Sequence, residues 1–286
     1  MKEIYGGLQP TPKDERDYSL GAVFGKAEFP PNVDFMVSMP LVIHDQQNSD
    51  MCVAFSTSAV SEDEEGVQLS PEWFFAKIKE REGSSTTWGA NLRDAMKVAT
   101  KKGFLKQLDA PYSLDTNTRD WLADWTHWPL ELDDYARVHK KKSYFKISQS
   151  GYIDLFDAIR ASLWQFKGKN QSIITGLLWC PEWTNAEGGI IRKVGTPSFG
   201  HAFKIFGQRM INGEPFLIAQ LSNGEDIGDK GIFYISREAI NGASEFGAYM
   251  LVDMEKNDAE ILIKHNWTIN KMWLVKIINY FKKLFA

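Results

Sequence analysis

The chain has 286 residues, a formal net charge of −4, and a hydrophobic fraction of 43% that includes 10 Trp and 18 Phe. That length suits one large domain or two lobes sharing a cleft, with enough apolar material for a substantial core. Two Cys residues exclude a disulfide scaffold, and the weak negative charge carries no global nucleic-acid signature.

In chain order, residues 1–40 are rich in Pro, Gly and charge and read as an extended segment. Met1 to Gly7 lacks an apolar stretch, so no secretory signal is expected there. No run of about twenty apolar residues appears anywhere, so no transmembrane helix is expected. These absences fit the cytoplasm or a place within a particle and do not choose between them. The polar loop Asp45 to Asp50 runs into an apolar helix over 51–65, with Ser49 or Asp50 expected as its cap. Ser70-Pro71 opens a helix over 70–82, and a third helix over 90–102 stops at Gly103. Residues 110–150 hold Trp121, Trp125 and Trp128, then Lys140 to Lys142, a basic triplet that reads as a solvated face. An amphipathic helix is predicted over 152–167. Strands follow at Ile173 to Trp179, His201 to Phe206, Pro215 to Gln220, Gly231 to Ile235 and Ala248 to Val252, with a hairpin turn at Asn212-Gly213. Cys180 ends the first of these strands and reads as structural. After Asp253 the strand pattern stops. Apolar residues then recur at 274, 277, 278, 281, 284 and 285, which predicts an amphipathic helix over 269–286. Such a helix can dock on its own domain, join a partner chain, or lie on an acidic membrane surface.

Cys52 is the residue with the most chemistry. A thiol at a helix N-terminus faces unpaired N–H groups and the helix dipole, which favour the nucleophilic thiolate. The bland alternative is a small buried hydrophobe. Gln46, six residues upstream, is placed to donate a hydrogen bond to an oxyanion beside that sulfur. Gly200-His201-Ala202 opens an apolar run far downstream and supplies a candidate base. Asp50 works against a thiolate, although a helix N-terminus accepts an acid. His44, on the loop just before Cys52, and His127, His139 and His265 read as packed or surface histidines. No metal-ligand spacing and no phosphate loop is present, so no metal or cofactor is expected.

Several further segments fall in one order along the chain: Pro12-Lys13-Asp14-Glu15-Arg16-Asp17-Tyr18, Pro31-Asn32-Val33-Asp34-Phe35, Leu69-Ser70-Pro71-Glu72-Trp73-Phe74-Phe75, and Gly89-Ala90-Asn91-Leu92-Arg93-Asp94-Ala95-Met96 with Gly103 after it. With Gln46, Cys52 and Ala54-Phe55-Ser56, they resemble the papain-like cysteine peptidases of the C1 family, most closely the bacterial-type branch. The resemblance covers roughly residues 9–253. It implies an α+β fold with a helical left lobe and an antiparallel β right lobe. The expected organisation is an extended segment at 1–40, a peptidase domain at 41–253 (left lobe about 41–125, right lobe about 126–253) and a helical extension at 254–286.

The resemblance also implies hydrolysis of peptide or related amide bonds in protein or peptide substrates, with Cys52 as nucleophile, His201 as base and Gln46 in the oxyanion hole. Trp88 and Gly89 match the family's substrate-binding strip, and Gly200 leaves room for substrate backbone. No nucleic-acid partner is implied. The family's Asn-Ser-Trp-Gly stretch departs here to Leu221-Ser222-Asn223-Gly224, with Leu221 at the Asn position. Either Asn223 or Gln220 must then orient the imidazole, and strand alternation favours Asn223. The alternative is a catalytically weakened papain-fold protein with a binding or structural role in a larger assembly. Residues 1–40 are too short for the long inhibitory propeptide of many relatives. The sulfur and the imidazole are therefore expected to face each other across a groove open to water.

Overall fold

Helices in this chain start where a side chain can cap them and stop where glycine can turn left-handed. The computed structural model describes residues 4–11, 14, 17, 19–24, 27–149 and 151–253. In it, α1 (Leu20–Phe24) and β1 (Phe35–Met36) interrupt the extended N-terminal segment. Helices α2 (Cys52–Glu65), α3 (Pro71–Glu82), α4 (Leu92–Lys101), α5 (Arg119–Ala123) and α6 (Leu132–Ala136) follow. The remainder is β2 (Ser143–Lys146), α7 (Leu155–Gln165), β3 (Ile173–Trp179), β4 (Ile190–Ile191), β5 (Phe199–Ile211), β6 (Glu214–Gln220), β7 (Ile232–Ile235), α8 (Arg237–Ala243) and β8 (Ala248–Val252). The Ser70 hydroxyl accepts the Trp73 N–H at the start of α3, behind Pro71, and Asn91 caps α4 through the Asp94 N–H. Gly66 closes α2 at φ +68. The expected cap of α2 is corrected. Met51 holds the cap position and no side chain bonds there, because the Asp50 carboxylate is engaged elsewhere.

Among the described residues the strands form one eight-stranded sheet, ordered β2-β8-β3-β5-β6-β7-β4, with β1 paired to β5 off that path. Every pairing is antiparallel except β4 with β7. Asn212 and Gly213, both at positive φ, turn β5 into β6. Alternation splits the sheet between two cores. Phe203, Ile205, Ala248, Met250 and Val252 join the core that holds α7 and α8. Ala202, Tyr249 and Leu251 face the core of α2, α3 and α4. This is the α+β arrangement expected. The predicted helix over 269–286 lies outside the described residues, as do most of residues 12–18 and all of 254–286.

Helix α2 lies directly on β5. The Ser56 hydroxyl donates to the Ala202 carbonyl at 2.9 Å, and Lys204 Nζ meets Asp63 Oδ1 at 2.7 Å. That contact brings the first residue of α2 to the first turn of β5.

Candidate active site

Cys52 opens α2, and its sulfur accepts the Ala202 N–H at 3.5 Å across 150 residues of chain. Residue 202 faces the helices, so its neighbour His201 points to the opposite side of β5, with Phe203 and Ile205. The His201 ring lies edge-on to Trp179, with centroids 5.7 Å apart. The thiol at the head of α2 and the imidazole on β5 are thus linked through Ala202, the residue after His201 and the donor to the sulfur.

Gln46 is buried and held at both ends. Its Nε2 donates to the Ser49 carbonyl at 2.7 Å, and its Oε1 accepts from the Ser222 hydroxyl at 2.6 Å. The Gln46 N–H also reaches the Ser222 carbonyl at 2.7 Å, and the Gly224 N–H reaches the His44 carbonyl at 2.9 Å. The loop at 222–224 is thus laced to the loop at 44–46. This fixes the Gln46 side chain. His44 itself is paired with Glu62, its Nε2 at 2.9 Å from the carboxylate.

Leu221 is packed into the larger core. The side chain beside the His201 ring is that of Asn223, also buried. Gln220 Nε2 donates to the Val42 carbonyl at 2.7 Å. Among the described residues, neither His201 nitrogen and neither amide atom of Asn223 meets a partner in hydrogen-bonding geometry. Burial pulls the imidazole down to about 4, against the raising effect of the Tyr5 carbonyl and Asn223 nearby. Burial pushes the Cys52 thiol up to about 11. The Ala202 and Gly7 N–H groups oppose that rise, and the Asp50 charge adds to it.

The source of this burial corrects the expected open groove. Cys52 and His201 each have 0% exposure because residues 5–9 run through the cleft. The Gly7 N–H donates to Cys52 Sγ at 3.3 Å. The Tyr5 carbonyl accepts from Gln46 Nε2 at 3.0 Å. The Leu8 N–H reaches the Gly200 carbonyl at 3.1 Å. On the other wall, the Ala90 N–H donates to Gly7 O at 2.7 Å and the Gln9 N–H to Ala90 O at 2.8 Å, a parallel bridge. Trp88 Nε1 donates to Gly6 O at 3.1 Å. Trp88, Gly200 and the neighbours of Gly89 are thus the residues that hold this strap. Glycine is required along it. A side chain on Gly6 would strike the Gly200 carbonyl, and one on Gly7 the Asp50 carbonyl. Leu8 fills a slot that stays open only because residue 176 is glycine.

The strap was missed because Gly6-Gly7-Leu8 has no periodicity. The adjacent glycines in a segment short of secondary structure are the one available signal, and they gain meaning only when both walls are known. Arg119 was also missed, since it stands in no recognisable motif, and Ser222 was read only as part of the Leu221 to Gly224 stretch, without its bond to Gln46. Among the described residues no cluster of three His, Cys, Asp or Glu is placed to hold a metal, and no helix is long and apolar enough to cross a membrane.

The family description "Papain family cysteine protease" matches residues 29–251. The chain belongs to the papain family of cysteine proteases. Solved papain-like structures share its fold. Xylellain, a cysteine protease from Xylella fastidiosa, aligns at a TM-score of 0.69 with 18% identity, over 89% of this chain and 98% of that one. Digestive procathepsin L 3 of Tenebrio molitor aligns at 0.63 with 14% identity, over 83% and 74%. Bromelain from Ananas comosus, solved with the E64 inhibitor, aligns at 0.57 with 15% identity, over 79% and 100%. At these identities the likeness is one of fold. No curated protein sequence matches the chain.

Proposed function

We infer that this papain-family chain is a cysteine peptidase that hydrolyses peptide bonds through a Cys52–His201 pair. Cys52 Sγ attacks the carbonyl carbon and His201 takes the thiol proton, then returns it to the leaving amine. Gln46 Nε2 and the Cys52 backbone N–H, which has no acceptor in the first turn of α2, stabilise the oxyanion. Asn223 orients the imidazole in place of the family's asparagine. Trp88, Gly89 and Gly200 border the peptide.

The observation that carries this reading is the strap itself. A peptide backbone already fits the cleft, with one carbonyl on Gln46 Nε2 at 3.0 Å and a main-chain amide on the sulfur at 3.3 Å. The strap is not a substrate in that pose, because an N–H and not a carbonyl carbon faces Sγ. With the strap in place, burial favours a neutral thiol and a neutral imidazole. The described form is therefore a resting one, and catalysis requires residues 5–9 to leave.

A second reading, a papain-fold protein kept for binding, has two observations in its favour: Leu221 at the Asn position and, among the described residues, no hydrogen-bonded partner on the His201 ring. Hydrolysis of an unfolded protein by chain freed of its strap separates the two. The peptidase reading expects turnover that Cys52→Ser or His201→Ala abolishes. Absence of turnover from a folded, strap-free chain would overturn it in favour of binding.

A further inference from the structure

Asp50 stands two residues before Cys52 and is wholly buried. A carboxylate there is costly unless paired. Its Oδ1 accepts from Arg119 Nε at 2.6 Å and its Oδ2 from Arg119 Nη2 at 2.7 Å. This is a two-pronged contact across 69 residues of chain. Oδ2 also accepts the Gly89 backbone N–H. The other N–H groups of Arg119 reach the Ser85 carbonyl at 3.0 Å and the Thr87 carbonyl at 2.7 Å, while its guanidinium lies 5.2 Å over the Phe75 ring. Lys79, buried in α3, holds the same loop through Thr87 Oγ1 at 3.0 Å and the Gly89 carbonyl.

The loop at 85–90 therefore has two sides. Its inner side hangs on Asp50, Arg119 and Lys79. Its outer side, through Trp88 and Ala90, holds the main chain of residues 6–9. Nothing in the bond-making steps needs a buried ion pair here, and apolar side chains of similar volume would fill the space at lower electrostatic cost. We propose that Asp50 and Arg119 are a positioning pair for peptide binding: they lock the peptide-receiving edge at 85–90 to the turn that carries Cys52, so that peptide backbone and sulfur share one register. The pair also balances charge at the nucleophile. Asp50 opposes the thiolate, and Arg119 offsets Asp50.

This proposal rests on the cleft being a peptide-binding site, and its test separates the two ideas. In full-length chain carrying Gly7→Val to lift the strap, peptide turnover is compared with and without Asp50→Asn/Arg119→Met. The double change removes both charges, so no lone buried carboxylate is left to unfold the chain. The expected result is KM raised about tenfold with kcat within about threefold. Arg119→Lys, which keeps the charge but loses the fork, should fall between. In chain with its native strap, amide exchange at Ala90, which bonds Gly7 O, should speed up about tenfold in the double variant while α3 amides stay protected. Unchanged KM and unchanged Ala90 exchange, with only a lower melting temperature, would overturn the proposal. So would a fall in kcat at constant KM. If no chain turns over peptide but Ala90 exchange still accelerates, the peptidase reading fails and the positioning role stands.

Discussion

Replacing Gly7 by valine tests whether the strap is what closes the cleft. The new side chain would overlap the Asp50 main chain, on which the start of α2 depends, so the strap must lift. Overpacking of this kind costs about 1–3 kcal/mol. The Gly7 N–H bond to Sγ at 3.3 Å and the Ala90 N–H bond to Gly7 O at 2.7 Å are lost on opening with or without the valine. The strain on the closed form therefore sets the change, and it raises the open population about five- to a hundredfold, since about 1.4 kcal/mol is a factor of ten. Alkylation by iodoacetamide at pH 8, followed by mass spectrometry of each cysteine, reads that population. Cys180 is also buried, and its sulfur contacts the Leu178 carbonyl and not the strap, so it serves as the internal reference. Cys52 alkylation should rise about five- to a hundredfold, in line with the open population, while Cys180 stays unchanged. A folded Gly7→Val chain in which Cys52 reacts no faster than before would refute the strap as the closing element.

Three other outcomes follow from the same contacts. In strap-lifted chain, Gln46→Ala should lower kcat by about 10²–10³ with little change in KM, as expected for loss of an oxyanion donor; steady-state kinetics on a fluorogenic peptide check this. Lys204→Met leaves the Asp63 carboxylate buried without its cation and should cost about 3–5 kcal/mol in urea unfolding. A paired Asp63→Leu change should recover most of that loss. The third outcome is a pH effect. Burial holds His201 at about 4, below its ordinary 6.5, so the folded form favours the neutral ring. The resulting stability is present in full above pH 6.5 and is lost as pH falls through about 4. In a Cys52→Ser background, melting temperature should therefore drop less over that window when His201 is also changed to Gln.

Much of this arrangement was legible because it depends on local chemistry. Ser70-Pro71 and Gly103 mark helix ends that the backbone then adopts. Long strands such as β3 and β8 agree with their predicted bounds to the residue. The strands at 35–36 and 190–191 and the helix α8 did not register, because two residues cannot show a strand alternation and seven span only about two turns of helix. Residues 173–179 and 201–206 showed themselves as strands, yet nothing in them told that Ala202 would donate to Cys52. That contact depends on α2 lying across β5. Asp50 illustrates the limit most clearly. Read locally it is a helix cap, but a guanidinium 69 residues away offers a better partner and takes it. The strap is the same kind of case, since its glycines answer to walls built from residues 50, 90 and 200.

If Cys52 and His201 act as one unit once residues 5–9 are out of the way, the rate of Cys52 alkylation against pH in strap-lifted chain must show it. A reactive thiolate is then already present near pH 6, with a plateau below the ordinary thiol range, and that plateau is lost in His201→Ala. A single titration near the ordinary thiol value of 9.0, identical with and without the imidazole, would contradict it.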